Sequence, residues 1–120
     1  MTISDDDSTP PFEILGPDRP GPWLITCDHA SNLVPRGLLP NLGLPAGDMA
    51  RHIAYDVGAE GVSRALGEAL DSPVLLSRFS RLVIDPNRGE DDPTLLMRLY
   101  DGTVIPGNRT ATAVERHRRV

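Results

Sequence analysis

The stretch of sequence that decides the fold is "WLITC" at residues 23–27, which the polar run "DHASN" at 28–32 follows directly. A continuous apolar run of this kind is typical of a strand that is covered on both faces of a sheet. Two similar runs, "VLLS" at 74–77 and "RLVID" at 81–85, predict two further strands. The chain therefore has three candidate strands for a buried sheet.

Helices and shaped loops are predicted around these strands. A short edge strand and a turn-rich loop occupy 12–22, and prolines and glycines make 31–45 an irregular loop. The longest helical stretch is 48–70, which two interior glycines weaken. An Asp-Gly pair predicts a hairpin turn within 99–107, and an amphipathic helix is expected from Thr110. Strands that alternate with a helix indicate an α/β architecture.

Composition excludes several classes of protein. The chain has 120 residues and a formal charge of −5, which argues against nucleic acid as a partner. Its single cysteine, Cys27, excludes an internal disulfide and a multi-cysteine zinc site. No apolar run reaches the ~20 residues of a membrane span, and the acidic N-terminus does not resemble a signal peptide. We therefore expect a cytoplasmic protein with no membrane partner, a disordered acidic tail at 1–11 and one domain at 12–120.

Polar residues follow two of the predicted strands. Sheets of α/β proteins bind ligands beyond the carboxyl ends of their strands, so two parallel neighbours would bring both groups to one crevice. The first group contains Asp28, His29 and Asn32, and the second contains Asp85, Asn87 and Arg88, with Arg81 four residues before Asp85.

The first group has donors for half of a metal site. A histidine and an oxygen ligand three residues apart, here His29 and Asn32, form part of a hydrolytic zinc site, which also keeps an open position for water. The alternative is structural, with Ser31 or Asn32 capping a turn and His29 satisfied by hydrogen bonds. The residues by themselves favour the structural alternative.

The second group suits recognition of a carboxylate. Asn87 and Arg88 offer an amide and a rigid guanidinium fork, and Asp85 would hold Arg81 or Arg88 in position. The alternative is an ordinary turn with a surface ion pair that contributes little energy. The residues alone slightly favour that turn.

Two other features have weaker signals. His52 and Asp56 lie four residues apart in the predicted helix and hence on one helical face. That spacing suits two metal ligands or a histidine oriented by a carboxylate, although a solvated pair is more common. Cys27 is expected to be a small buried thiol, because no base is evident beside it.

Taken together, these motifs resemble the N-formylglutamate amidohydrolase family. The matching segments cover most of residues 22–120 in the family's order: "CDHASNLVP" (27–35), "RHIAYDVGAEGVSRAL" (51–66), "SRLVIDPNR" (80–88) and "VIPGN" (104–108). The resemblance implies a zinc-exopeptidase-like (phosphorylase/hydrolase-like) fold, a three-layer α/β/α sandwich around a mixed sheet. Because family members are considerably longer than 120 residues, we expect this chain to hold the N-terminal part of that domain and an incomplete sheet.

The resemblance also implies a reaction and a site. A divalent metal, expected to be zinc, would assist hydrolysis of an N-acyl amide, and N-formylglutamate would give formate and glutamate. A general base and a further metal ligand are expected in later segments. The implied catalytic residues are His29, Asp28 and Asp56, the metal ligands His29 and Asn32, and the substrate-binding residues Arg81, Asp85, Asn87 and Arg88.

Two other functions stay open at this point. One is a non-catalytic module that binds a carboxylate ligand without a metal, and the other is an inactive truncated fragment. In the leading hypothesis the partner is a small N-acyl amino acid. An exposed sheet edge would also favour pairing with a second copy of the chain.

Overall fold

A mixed three-stranded sheet lies at the centre of the computed structural model, which describes residues 9–120. Its strands are β1 (Phe12–Leu15), β2 (Ile25–Cys27) and β3 (Val74–Ser77), in the order β1-β3-β2. β3 pairs antiparallel with β1 and parallel with β2. The predicted strand at 74–77 and the predicted edge strand are confirmed, as is a small α/β architecture.

The first predicted strand is shorter than its apolar run. β2 begins at Ile25, and Trp23 and Leu24 are 61% and 63% exposed, so the prediction that both faces are covered is wrong for these two residues. β2 lies at one edge of the three-stranded sheet, where fewer neighbours cover it. The end of the run, Cys27, is a buried thiol, as predicted.

The third predicted strand, 81–85, is wrong. Residues 81–83 form a turn, in which the Val83 N–H donates to the Ser80 carbonyl at 2.9 Å, and residues 84–85 are irregular. The Ser80 hydroxyl accepts from the Leu82 N–H at 3.2 Å and donates to the Ala54 carbonyl at 2.7 Å. Leu82 and Val83 are fully buried. The apolar run thus marks the core correctly, but hydrophobicity alone does not separate a buried turn from a buried strand.

The long predicted helix, 48–70, is two helices. α1 spans Ala46–Met49 and α2 spans Ala59–Ala69, with turns between them. Gly58 has a φ of 84°, which a right-handed helix does not allow. Tertiary hydrogen bonds also compete with the helix, because the Asp56 N–H donates to the carbonyl of His29 at 3.0 Å. His52 and Asp56 therefore do not share a helical face, contrary to the prediction.

α2 packs against β2 and β3 through its smallest residues. Ser63 and Gly67 are its buried positions. A Cβ atom on Gly67 would lie 2.2 Å from Cγ2 of Val74, so only glycine permits this approach of helix and sheet. The close packing places the start of α2 beside the carboxyl end of β2.

The C-terminal part contains a hairpin and two short helices. β4 (Leu99–Tyr100) pairs antiparallel with β5 (Thr103–Val104) around the predicted Asp-Gly turn. α3 (Pro106–Arg109), which was not predicted, packs on a tight turn at Pro40–Gly43. α4 (Ala113–Arg119) confirms the expected helix but not its amphipathic character, because Val114 is 70% exposed and the buried residue of α4 is Arg119. Its N-cap is Thr112, whose hydroxyl accepts from the Glu115 N–H.

Buried side chains form two clusters. The larger contains Leu42, Ile53, Leu82 and Ile105, among others, and lies under the loops and the C-terminal helices. The smaller contains Cys27, Ala30, Val74 and Leu76 and lies at the sheet, with Ala59 of α2 packed against it. Within residues 9–120, no helix is both long and apolar enough to span a bilayer. Most of the predicted acidic tail, residues 1–8, lies outside the described residues.

Candidate functional site

His29 lies just beyond β2 with both ring nitrogens facing carboxylates. Its Nε2 is 2.7 Å from Oδ1 of Asp85, and its Nδ1 is 3.2 Å from Oδ2 of Asp56. The side chain is buried at 8% exposure. The two polar groups of the sequence therefore meet in one place, although the second one follows turns and not a strand.

Arg81 closes this arrangement into a ring of side chains. Its Nη2 donates to Oδ2 of Asp85 at 3.0 Å, and its Nη1 lies 3.5 Å from Oδ1 of Asp56. The guanidinium also lies over the ring of Tyr100, with Cζ 5.2 Å from the centroid. Each carboxylate thus faces His29 with one oxygen and Arg81 with the other, which fixes the orientation of both.

Asp85 is the buried acceptor at the centre of the site. It is 1% exposed and accepts from His29, Arg81, Arg88 Nε at 3.1 Å and the Asn87 N–H at 3.0 Å. Burial by itself would raise the pKa of this carboxyl, but the hydrogen bonds from His29 and the Asn87 N–H outweigh it and lower the pKa. The structural alternative for the second polar group expected a surface ion pair, whereas the carboxylate of Asp85 is buried.

The ionised Asp85 determines the proton on His29. A carboxylate only accepts hydrogen bonds, so Nε2 carries the hydrogen of the 2.7 Å contact. In a neutral ring, Nδ1 is then also an acceptor, and it faces a carboxylate oxygen of Asp56. Two acceptors at 3.2 Å need a proton or a cation between them. Nδ1 and Asp56 therefore form a place for one proton or one metal ion.

The residues fit two positions of a zinc site. Ligands at about 2.0–2.2 Å and tetrahedral angles lie about 3.3 Å apart, close to the separation of His29 Nδ1 and Asp56 Oδ2. The Nε2–H that Asp85 accepts is the outer contact that metal-ligating histidines usually make. Among residues 9–120, no group of three or more His, Cys, Asp or Glu side chains is placed to hold a metal ion. His29 Nδ1 and Asp56 Oδ2 could therefore supply at most two of the three protein ligands that a hydrolytic zinc site uses.

An open cleft of about 530 Å³ borders this pair. Val57, just before α2, and Val62, in the first turn of α2, form an apolar part of its wall. The four predicted site residues that line the cleft are Asp28, His29, Asp56 and Asn87. These four polar residues and the two valines therefore line the same cleft.

Arg88 is held beside the cleft and is not among the residues that line it. Its Nε donates to Asp85, and its Nη1 donates to the hydroxyl of Thr94. Thr94 in turn donates through both its N–H and its hydroxyl to Oδ1 of Asp92, at 2.8 and 2.6 Å. These hydrogen bonds lower the pKa of Asp92. The guanidinium therefore has a fixed orientation next to Asn87.

Asn32 and His52 have hydrogen-bond or charge partners outside the His29 cluster. The amide nitrogen of Asn32 donates to the carbonyl of Met49 at 2.9 Å, which ties the loop after β2 to α1. His52 is exposed, lies 3.3 Å from Asp101 and packs edge-on against Tyr100. Of the proposed His52–Asp56 pair, the structure brings only Asp56 to the site.

Several residues around the site carried no usable sequence signal. Tyr100 of β4 contacts Arg81, and Thr94, six residues after Arg88, contacts Arg88. Asn108 and Arg119 support the turns before Asp85. Asn108 belongs to the quoted motif "VIPGN", whereas Arg119 sits in the charged run "ERHRR", which is typical of a solvated helical face. Only the motif offered a way to single out Asn108.

Both the sequence and the fold are similar to known proteins. A sequence model of the N-formylglutamate amidohydrolase family matches residues 21–120. The fold is similar to the crystal structure of a gene product from Agrobacterium tumefaciens, with a TM-score of 0.86 and 34% identity over 90% of this chain. The chain spans 42% of the length of that protein. No protein among the curated ones matches the sequence.

Proposed function

The chain belongs to the N-formylglutamate amidohydrolase family, and from this membership we propose that it carries part of the site of an amide-bond hydrolase. The proposed substrate is an N-acyl amino acid such as N-formylglutamate, which gives formate and glutamate. The proposal includes zinc as the metal, a cytoplasmic location, and no nucleic acid or membrane partner. It also includes the three-layer α/β/α sandwich of zinc exopeptidases as the complete fold, with a second copy of the chain at the open sheet edge.

The observation that carries the proposal is the orientation of His29. Asp85 accepts the Nε2 proton, and Nδ1 is directed towards Asp56, which lines the cleft. A histidine whose second nitrogen is fixed by a buried carboxylate is the usual arrangement for a metal ligand and for proton transfer. Arg81 keeps both carboxylates in place, so the site is organised before a substrate enters.

Substrate recognition is assigned to Asn87 and Arg88. Asn87 lines the cleft, and Arg88 is anchored beside it by Asp85 and Thr94. An amide and a guanidinium in fixed positions bind a carboxylate in one orientation, which converts a bimolecular attack into an oriented one. The scissile amide would then lie over His29, Asp28 and Asp56.

Asp85 and Asp28 have different parts in the reaction. Asp85 stays ionised and keeps a hydrogen on Nε2, so Nδ1 has its lone pair available. His29 Nδ1 and Asp56 would hold zinc, which supplies an activated water and polarises the acyl carbonyl when bound. Asp28 has an exposed carboxylate in the same cleft, and we assign to it a catalytic role beside His29, while the general base is expected in a later segment.

The test compares two histidines of the same chain. When the chain is joined to the later segments that the family resemblance implies, and zinc is added, formate release from N-formylglutamate is expected. It should fall by about 100-fold or more in His29→Gln and stay unchanged in His52→Gln, because His52 is exposed and bonded to Asp101. Elemental analysis is expected to show zinc in the His52 variant and a loss of zinc in the His29 variant.

Two results would contradict the proposal. Equal turnover in both variants would remove His29 from the reaction. Tight binding of N-formylglutamate without turnover or zinc, measured by calorimetry, would support a carboxylate-binding module in place of a hydrolase.

A further inference from the structure

The segment 81–85 delivers Arg81 and Asp85 to His29 without the support of a sheet. At its centre, Leu82 and Val83 are fully buried. Buried backbone carbonyls need hydrogen-bond partners, and a neighbouring strand usually provides them. Here two side chains from the C-terminal part of the chain take the place of that strand.

These side chains are Asn108 and Arg119. Nδ2 of Asn108 donates to the carbonyl of Leu82 at 2.7 Å and to that of Met97 at 2.8 Å. Nη1 of Arg119 donates to the carbonyl of Val83 at 3.0 Å and to Oδ1 of Asn108 at 2.6 Å. Both residues are 1% exposed. They form a connected, buried network on the two residues that precede the turn into Asp85.

Burial of the Arg119 guanidinium costs desolvation free energy, which a purely structural role does not explain. Burial lowers the pKa of its guanidinium, and the carboxylate that faces it, Glu115, lies 3.8 Å away and is half-exposed. Replacement of a whole buried ion pair by apolar side chains of similar volume is often neutral for stability, so a buried charge is weak evidence of a stabilising role. A buried arginine that donates to the Val83 carbonyl and to the amide oxygen of Asn108 therefore suits the fixing of a geometry better than the stabilising of a core.

We infer that Asn108 and Arg119 are positioning residues for the His29–Asp85 pair. They hold the chain three and two residues before Asp85, and thereby hold its carboxylate 2.7 Å from Nε2 of His29. The geometric part of this inference is independent of the proposed hydrolase function. Only its kinetic consequence rests on that function.

The test follows the Nε2 proton of His29 by NMR in the full chain, with EDTA present. An N–H that donates to a buried carboxylate gives a strongly deshielded signal that exchanges slowly, and His29→Gln identifies it. In Asn108→Ala and Arg119→Met, this signal is expected to move upfield or to disappear. Ser72→Ala is the matched control, because it removes buried hydrogen bonds before β3, away from the site, and should leave the signal in place.

If Asn108→Ala or Arg119→Met fails to fold, more conservative variants at the same positions test the inference. Arg119→Lys keeps the charge, but its ammonium lies one bond nearer the backbone than Nη1, the atom that reaches both Val83 and Asn108. Asn108→Ser keeps one hydrogen-bonding group. Both are expected to shift the signal in the same direction by a smaller amount. An unchanged signal in folded variants at both positions would overturn the inference.

The kinetic arm separates this inference from the proposed function. In an active enzyme, the variants at Asn108 and Arg119 should lower kcat about tenfold and leave KM nearly unchanged, because the contacts to substrate remain. A wild-type protein that has the signal but no turnover would refute the hydrolase and leave the positioning role standing. An active enzyme whose signal moves while kcat stays constant would refute the kinetic consequence.

Discussion

At the scale of single residues, the chemistry depends on which atoms His29 faces. A histidine after a strand is unremarkable in sequence, and its two carboxylate neighbours come from positions 27 and 56 residues further along the chain. Asp85 is fully buried and still ionised, since two arginines, His29 and a backbone N–H all bond to it. The sequence predicted the residue types and a pairing of Asp85 with Arg81 or Arg88, but it did not predict that His29 lies between Asp56 and Asp85.

The first prediction at this scale concerns acid stability. The folded-state pKa of Asp85 is lowered, so its contribution to folding is present above the unfolded pKa of about 3.9 and is lost as the pH falls through the lower folded value. Asp85→Asn is expected to cost about 3–5 kcal/mol at pH 7, because it leaves buried charged groups unpaired. The cost should shrink at pH 3. Urea unfolding in EDTA at both pH values measures this.

The control for acid stability is Asp28→Asn. Asp28 is exposed, and its replacement should change the free energy of unfolding by less than about 0.5 kcal/mol at either pH. A penalty for Asp85→Asn that is the same at pH 3 and pH 7 would contradict the linkage to this carboxyl.

At the scale of elements, the two wrong predictions share one cause. The residues between α1 and α2 and those at 81–85 have the apolar content of a helix and a strand, but they form turns and irregular backbone. Each segment satisfies its backbone through distant groups: the Ser80 hydroxyl donates to the Ala54 carbonyl, and the Asp56 N–H donates to the His29 carbonyl. Periodicity reports which residues are buried, whereas the partners of the backbone decide which element forms.

The start of α2 gives the second prediction. Gly58 has a φ of 84°, and no atom lies within 4 Å of the position that a Cβ would take, so Gly58→Ala should cost about 1–2 kcal/mol through backbone strain alone. Gly61 is a matched control, since it also has open space but lies inside the helix. Gly61→Ala should stabilise the protein by about 0.5–1 kcal/mol. Urea midpoints of the two variants should therefore move in opposite directions, and shifts of the same sign would contradict this account.

At the scale of the whole molecule, the side chains around His29 lie between the two buried clusters. Ala30 and Cys27, beside His29, belong to the cluster at the sheet, and Leu82 and Val83, before Asp85, belong to the larger one. The hydrogen bonds of His29 to Asp56 and Asp85 therefore join the two parts of the core. A substitution in either cluster should therefore alter the contacts of His29 with Asp56 and Asp85.

The third prediction is that both clusters unfold together. Ile53→Ala removes a fully buried side chain from the larger cluster and should cost about 2–5 kcal/mol. If unfolding is cooperative, amide protection in β3, at the other cluster, should fall by the same free energy in hydrogen exchange. Val114→Ala, at a largely exposed position, should leave that protection unchanged. Protection of β3 that survives Ile53→Ala would show two independent units.

The sequence by itself determined the family, the strands of the sheet apart from the length of β2, the hairpin, the last helix and the residue types of the site. Local signals suffice for these features, because turn residues, apolar runs and short polar motifs act over a few positions. Only the tertiary structure decided that 81–85 is not a strand, that Asp56 leaves the helix, and that Arg119 is buried under Val83. Those outcomes depend on hydrogen bonds between residues more than 25 positions apart in the chain. Local sequence patterns do not identify partners at such separations.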